Sequence, residues 1–168
     1  TPGGFTHSDE LVSLIKDLGG FEIGVAAFPD GHPESNGNFQ RDLQVLLRKE
    51  ELGATFATTQ FFFDVNNLFR LADELKKLGS KLKLIPGILP ITNVKQLERM
   101  VELNGSIIPK NVSQLFSGDL TPEVVREIGI DISTNMAEAI IKAGFEELHF
   151  YTMNSAYSTT QIIKRIKG

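Results

Sequence analysis

Residues 54–78 read ATFATTQFFFDVNNLFRLADELKKL, and two periodicities meet inside that stretch. From Ala54 to Phe63 the chain is a mostly apolar run rather than an alternating one, the pattern of a strand covered on both faces. From Asn66 to Leu78 the residues Leu68, Leu71, Ala72 and Leu75 fall on one side of a helix. A buried strand followed at once by an amphipathic helix is a β/α unit, and the unit recurs on both sides. Upstream, FEIGVAA (Phe21 to Ala27) is a short apolar run that ends in the breaker-rich loop Phe28-Pro29-Asp30-Gly31-His32-Pro33. Leu43, Leu46 and Leu47 then mark a helix over 41–52, closed by Gly53. Downstream, Leu82 to Leu89 is a third strand ending in Pro90, followed by a helix carrying Val94, Leu97 and Val101. A fourth strand spans Glu147 to Met153, ahead of a helix marked by Ile162, Ile163 and Ile166.

Other helices join or precede these units. Ser8-Asp9-Glu10 offers a cap and two acids, and Leu11, Val12, Leu14, Ile15 and Leu18 follow at helical spacing until Gly19-Gly20. Residues 109–116 read as a short extra helix. Thr121-Pro122-Glu123 combines a capping hydroxyl, a first-turn proline and an acid at the positive dipole end. The helix it opens runs through Val125, Ile128, Ile132, Ala139 and Ala143 to Gly144, with a bend expected near Gly129.

Four strands each followed by a helix imply parallel pairing with right-handed crossovers. An open doubly wound sheet carries a glycine-rich turn after its first strand, and Phe28 to His32 is not that turn. A closed (β/α)8 TIM barrel needs eight units in about 250 residues. The expectation is an α/β fold in which residues 1–168 form one domain, half of such a barrel. Its two free strand edges would be covered by the missing half or by a partner copy.

The 168 residues carry a formal charge of −4 with no basic block, which argues against nucleic acid and anionic membrane as partners. Apolar and charged fractions of 41% and 23% are those of ordinary globular chains. With no cysteine there is no disulfide frame, thiolate nucleophile or cysteine-based metal site, and a cytoplasmic setting fits. No apolar run reaches the roughly 20 residues of a membrane span. The start at Thr1-Pro2-Gly3-Gly4 suggests that something upstream has been removed.

Ligands of a barrel sit at the C-terminal ends of its strands, so the residues where each apolar run stops are the candidates. Gln60 lies inside TTQFFFD, and its amide can both donate and accept. From spacing alone, a ligand-reading amide and a core glutamine satisfied by backbone carry equal weight. His32 either bonds a ligand or caps its loop, with the cap slightly favoured. His149 reads as a core histidine and His7 as a solvated one. Arg48 and Lys49, beside Glu50 and Glu51, read as a solvated helix face. Phe61 to Phe63 read as core. No histidine and carboxylate cluster has metal-ligand spacing, and no serine sits in a nucleophile elbow.

Four segments, in order and spacing, carry a resemblance: AAFPDGHPES (Ala26 to Ser35), TTQFFFD (Thr58 to Asp64), IPGILPITN (Ile85 to Asn93) and LHFYTMN (Leu148 to Asn154). Together they resemble methylenetetrahydrofolate reductases over essentially the whole chain. The resemblance implies a flavin-holding TIM barrel whose last four β/α units these are. It further implies that NADH or NADPH reduces FAD, and that 5,10-methylenetetrahydrofolate is reduced to 5-methyltetrahydrofolate. Ser8, Phe28, His32, Ser35, Asp42, Val45, Arg48 and Lys49 are similar to FAD contacts, Val45 through backbone or packing only. Gln60 matches the glutamine that contacts the pterin or nicotinamide, and Gln96 a second substrate-contacting glutamine. Ser155 stands where the family usually has a substrate-contacting arginine, and Met100 where an aromatic residue is common. The family's general-acid glutamate and its Arg-Gly-Asp flavin segment match nothing here. Homo-oligomerisation, or pairing with an N-terminal half, follows as an expectation. The rival readings are an inactive half-barrel that holds flavin or pairs with a complementary half, and an aldolase-like barrel. Lys81 and Lys83 sit at the wrong end of their strand for the latter.

Overall fold

The computed structural model describes residues 3–168, apart from the side chains of Gln96, Leu103 and Asn104. Strands β1 (Gly24–Ala27), β2 (Phe56–Thr59) and β3 (Lys83–Ile85) form a parallel sheet in that order. Strands β4 (Gly87–Ile88) and β5 (His149–Phe150) form a second parallel pair. Only Pro86 separates β3 from β4. Proline has no N–H to give to a ladder. Buried Pro86 instead accepts the His149 N–H at its carbonyl, 2.8 Å away. The run expected as one strand over 82–89 is therefore two, pairing with β2 before the proline and with β5 after it. The expected fourth strand, 147–153, is paired only at its centre.

The two sheets meet at Thr59, which has no exposed surface. It pairs with Ala27 of β1. Its Oγ1 accepts the Gly87 N–H at 2.8 Å, and its carbonyl accepts the Tyr151 hydroxyl at 2.9 Å. One residue thus joins β1, β2, β4 and the end of β5.

The helices are α1 (Ser8–Leu18), α2 (Phe39–Glu51), α3 (Val65–Lys77), α4 (Val94–Asn104), α5 (Lys110–Gln114), α6 (Pro122–Lys142) and α7 (Ala156–Lys167). Their starts follow capping chemistry. Asp64 accepts from the Asn66 N–H before α3, and Thr121 from the Val124 N–H before α6. The Glu10 carboxylate receives the N–H groups of Thr6 and His7 before α1, so the cap is His7 and Ser8 is the first helical residue.

Three apolar clusters hold these layers. Leu43 and Leu46 of α2 meet Ala27, Ala57 and Leu71 in one, with Val12 of α1. The phenylalanine run beyond β2 is buried, and its side chains divide between two of the clusters. Phe61 and Phe63 pack with Leu89, Ile91 and Leu97, whereas Phe62 packs with Ile88, Met136 and Ile140. Helix α6 passes through Gly129 without interruption. The glycine serves close approach, because a Cβ there would lie 1.8 Å from the Ile91 carbonyl oxygen.

His149 is a correction to the sequence expectation: it is exposed, its ring edge-on to Tyr151 at 4.6 Å. It sits on β5, an edge strand, so its side chain is not enclosed as a central-strand residue would be. At the other edge, Gly24 and Ala26 of β1 are exposed, as are Leu11, Leu14, Leu18 and Phe21 in and after α1.

Thr59→Val removes the acceptor of a buried N–H while keeping the branched shape. The expected loss is about 1–3 kcal/mol of unfolding free energy by urea titration. An unchanged midpoint would show that the junction does not hold the two sheets together.

Candidate functional site

The loop after β1 folds back on itself and is held by one carboxylate. Asp42, in the first turn of α2, accepts the His32 N–H at Oδ2 (2.8 Å). The Ser35 hydroxyl lies 2.8 Å from that same oxygen and 2.8 Å from the His32 carbonyl. Gly31 is obligatory at the crossing: its φ is 96° and a Cβ would meet the Gly37 Cα at 2.8 Å. The His32 ring is oriented twice. Its Nδ1 accepts the Glu34 N–H at 3.1 Å, and it stands edge-on to Phe28 with ring centres 4.5 Å apart. With Nδ1 accepting, the neutral ring carries its proton on Nε2.

This loop borders a cavity of about 460 Å³. Phe28, His32 and Ser35 line it from the loop, Ser8 from the start of α1, and Asp42, Val45, Arg48 and Lys49 from α2. All eight residues likened to flavin contacts thus border one space. Arg48 is exposed and also pairs with Glu51 at 3.3 Å. Lys49 is half-buried rather than solvated, and burial pulls its ammonium below the usual lysine range, with Asp9 opposing. An aromatic pair at one end and two cations on α2 suit a planar ring system carrying phosphates.

Two residues not singled out from sequence position this loop. Asp30 is half-buried and reaches two other elements. Its Oδ1 accepts the Asn67 side-chain amide of α3 at 2.8 Å, and its Oδ2 accepts the Ile107 N–H at 3.2 Å. Burial pushes its carboxyl above the ordinary value; the two hydrogen bonds and Arg70 pull against that, and Asp64 adds to it. Arg70 of α3 places its guanidinium 4.2 Å from the ring centre of Phe39, which lines the cavity. Nothing local in the sequence marks Asp30, because its partners lie 37 and 77 residues away.

The substrate-side candidates are dispersed. Gln60 follows β2, half-buried; its N–H donates to the Ala27 carbonyl at 2.7 Å and its Oε1 accepts the Phe61 N–H at 3.2 Å. Its side-chain oxygen is thus met by backbone, as a core glutamine's would be, and its NH2 has no partner among the described residues. Ser155 borders a second hollow of about 210 Å³, with Pro90, Thr92, Met100, Tyr151 and Met153. Gln96 lies on α4, and its side chain is outside the described residues. In strand order the Gln60 tip stands between the two hollows and lines neither. Neither of these two hollows is lined by both His32 and Gln60.

A sequence profile for methylenetetrahydrofolate reductase matches residues 1–167. The chain belongs to the methylenetetrahydrofolate reductase family. It is 38% identical over 151 residues to the 5,10-methylenetetrahydrofolate reductase of Escherichia coli K12, covering 89% of this chain and 51% of that one. The same enzyme of Pectobacterium carotovorum is also 38% identical, over 89% of this chain and 50% of its own. Methylenetetrahydrofolate reductase 2 of Saccharomyces cerevisiae is 34% identical over 173 residues, 98% of this chain and 28% of its own. The chain therefore spans about half the length of its bacterial family relatives. Among solved structures, an uncharacterized protein from Clostridium thermocellum superposes with a TM-score of 0.60 at 17% identity, over 92% of this chain and 56% of its own. That protein is described as binding two copies of 5-methyl-5,6,7,8-tetrahydrofolic acid. The likeness shows a shared α/β fold with parallel sheets.

The Asp30 carboxyl holds its proton to higher pH in the folded protein than in the unfolded chain. The stability this contributes is fully present below the ordinary value of 3.8 and is lost as pH rises through the raised folded value. Asp30→Asn keeps a neutral acceptor and does not titrate. Urea unfolding should show wild type losing stability relative to Asp30→Asn across that window and levelling off above it. A difference independent of pH would mean the carboxyl is not desolvated.

Proposed function

We propose that this chain supplies the last four β/α units of the (β/α)8 barrel of an FAD-dependent methylenetetrahydrofolate reductase. The whole protein would use NADH or NADPH to convert 5,10-methylenetetrahydrofolate to 5-methyltetrahydrofolate in the cytoplasm. The observation that carries this reading is the cavity beside the β1 loop, where the eight residues likened to FAD contacts border one space. The barrel reading is supported by strands that are parallel and follow one another in sequence order, with open edges at β1 and β5. Those edges suit an N-terminal half of the barrel as partner, with oligomerisation as a further element of the proposal.

The residues present fit a flavin nucleotide. Arg48 and Lys49 would neutralise its diphosphate, and a half-buried lysine does so more strongly than a solvated one. Phe28 and His32 offer an aromatic wall, and Ser8 a hydroxyl at the first turn of α1. Asp42 spends one oxygen on the loop itself, so its part is to hold His32 and Ser35 in place. The flavin supplies the two-electron relay between nicotinamide and folate, chemistry no side chain here can perform. The Gln60 amide, whose NH2 has no partner among the described residues, would orient the pterin. The general acid lies outside this chain in this reading.

Two measurements test it. FAD titrated into the chain should bind, and Arg48→Gln with Lys49→Gln should weaken binding by about tenfold or more and flatten its salt dependence. Unaltered FAD affinity in that double variant would take the diphosphate away from this cavity. In the full-length enzyme, Gln60→Ala should weaken use of folate by roughly tenfold, the scale of a lost buried hydrogen bond. Unchanged steady-state kinetics would refute the role of Gln60.

A further inference from the structure

The chain does not return to its last strand through α4. Helix α6 leads into β5, so α4, α5 and the residues between them form an inserted stretch ahead of the return. Three consecutive residues after α4 fasten that stretch to the tips of earlier strands. Gly105, at a φ of 71°, lies on the β1 loop, where a Cβ would stand 3.1 Å from the Pro33 Cγ. The buried Ser106 hydroxyl donates to the Phe61 carbonyl, beyond β2, at 3.0 Å. The Ile107 N–H donates to Asp30. Leu97 before these residues and Ile108 and Val112 after them pack with Phe61 and Phe63, so the stretch is anchored on both sides of its fastenings.

Asp30 occupies the middle of a tight turn. The Gly31 N–H donates to the Phe28 carbonyl at 3.1 Å, with Pro29 as the first central residue and Asp30 as the second. Phe28 and His32 flank this turn, line the cavity and meet edge-on, whereas Asp30 does not line it. Its carboxylate reaches the other way, to the Asn67 amide and the Ile107 N–H. Arg70 adds one contact from α3, to the Pro29 carbonyl at 3.5 Å. Asp42 fixes the His32 N–H but not the turn before it. A loop tip has no ladder to hold it, so its position depends on a few such ties. Loss of the Asp30 carboxylate would free the turn from α3 and from segment 105–107 in one step, and the ring pair would lose its backing.

We infer that Asp30 is a positioning residue for the flavin: by tying the turn to segment 105–107 and to Asn67, it holds the Phe28 and His32 pair against the place of the ring system. This inference rests on the flavin reading proposed above. It assigns the ring end of the cavity to the β1 loop, apart from the cationic end at Arg48 and Lys49 on α2. The two ends should therefore fail separately when each is altered.

The test titrates FAD and ADP into the 168-residue chain, with ADP followed by its competition with FAD. Urea unfolding of each variant sets conditions under which all of them are native. Asp30→Ala should weaken FAD binding by about tenfold, the scale of a lost buried hydrogen bond, and leave ADP binding within about twofold of wild type. Asp30→Asn should recover most of the loss, because an amide there keeps an acceptor for the Ile107 N–H and donates to Asn67 once the Asn67 amide turns over. Asn67→Ala should weaken FAD binding as well. Combining it with Asp30→Ala should add little, since the two side chains share one bond. Unchanged FAD affinity in Asp30→Ala, or an equal loss for FAD and ADP, would overturn the inference and leave the flavin reading in place. If Asp30→Ala does not fold, Asn67→Ala decides the question by the same two outcomes. If wild type takes up no FAD, the flavin reading falls and this inference falls with it.

Discussion

A single buried threonine decides how the rest of this chain is arranged. Pro86 cannot donate to a ladder, so the segment from Lys83 to Ile88 changes partners in mid-course. The Gly87 N–H beyond the proline would be left unpaired in a buried setting. Thr59 answers it with Oγ1 and uses its carbonyl for the Tyr151 hydroxyl. The corner at which one sheet becomes two is thus closed by hydrogen bonds from side chains as well as backbone. Strand tips that bear Phe28, Gln60, Pro90 and Thr152 are placed by it at one end of the sheets.

From that corner the cavity is built by short-range chemistry. Register between β1 and β2 fixes where Phe28 leaves the sheet. Asp42 then gathers His32 and Ser35, while Asp30 anchors the loop to α3 and to the segment after α4. Two carboxylates with different surroundings share the work: one organises the loop from α2, the other is half-buried and ties it to distant chain. The family assignment and this geometry bear on each other. Residues scattered over 8–49 in sequence border one space because α1 packs on α2 and α2 packs on β1.

Much of the architecture was legible in the residues. Continuous apolar runs and helical spacing locate the regions in which the strands and helices lie, because burial on both faces of a parallel strand leaves a compositional mark, but the paired strands are shorter than the runs. The division at Pro86 was not legible, since it depends on which neighbour each half of the run finds. His149 was misread for a related reason: a run of apolar neighbours does not disclose whether its strand lies at an edge. The α6 bend expected at Gly129 is instead a close contact with Ile91, a tertiary fact that a glycine alone cannot specify. For the site, the cavity-lining set came from resemblance to a family. Asp30 and Arg70 were missed because their partners are remote in sequence, and Gln60 showed its polar character without showing what it would face.

The position of the aromatic phenols gives the chain a native optical reporter. It contains two tyrosines and no tryptophan. Tyr151 lines the second hollow and bonds to the corner at Thr59, while Tyr157 sits in the first turn of α7 beneath the Arg126 guanidinium. Tyrosine emission from this chain therefore comes from one ring that lines that hollow and one on the helix that borders it, so quenching or spectral change on adding a compound reads out events at that end of the sheets without any introduced dye.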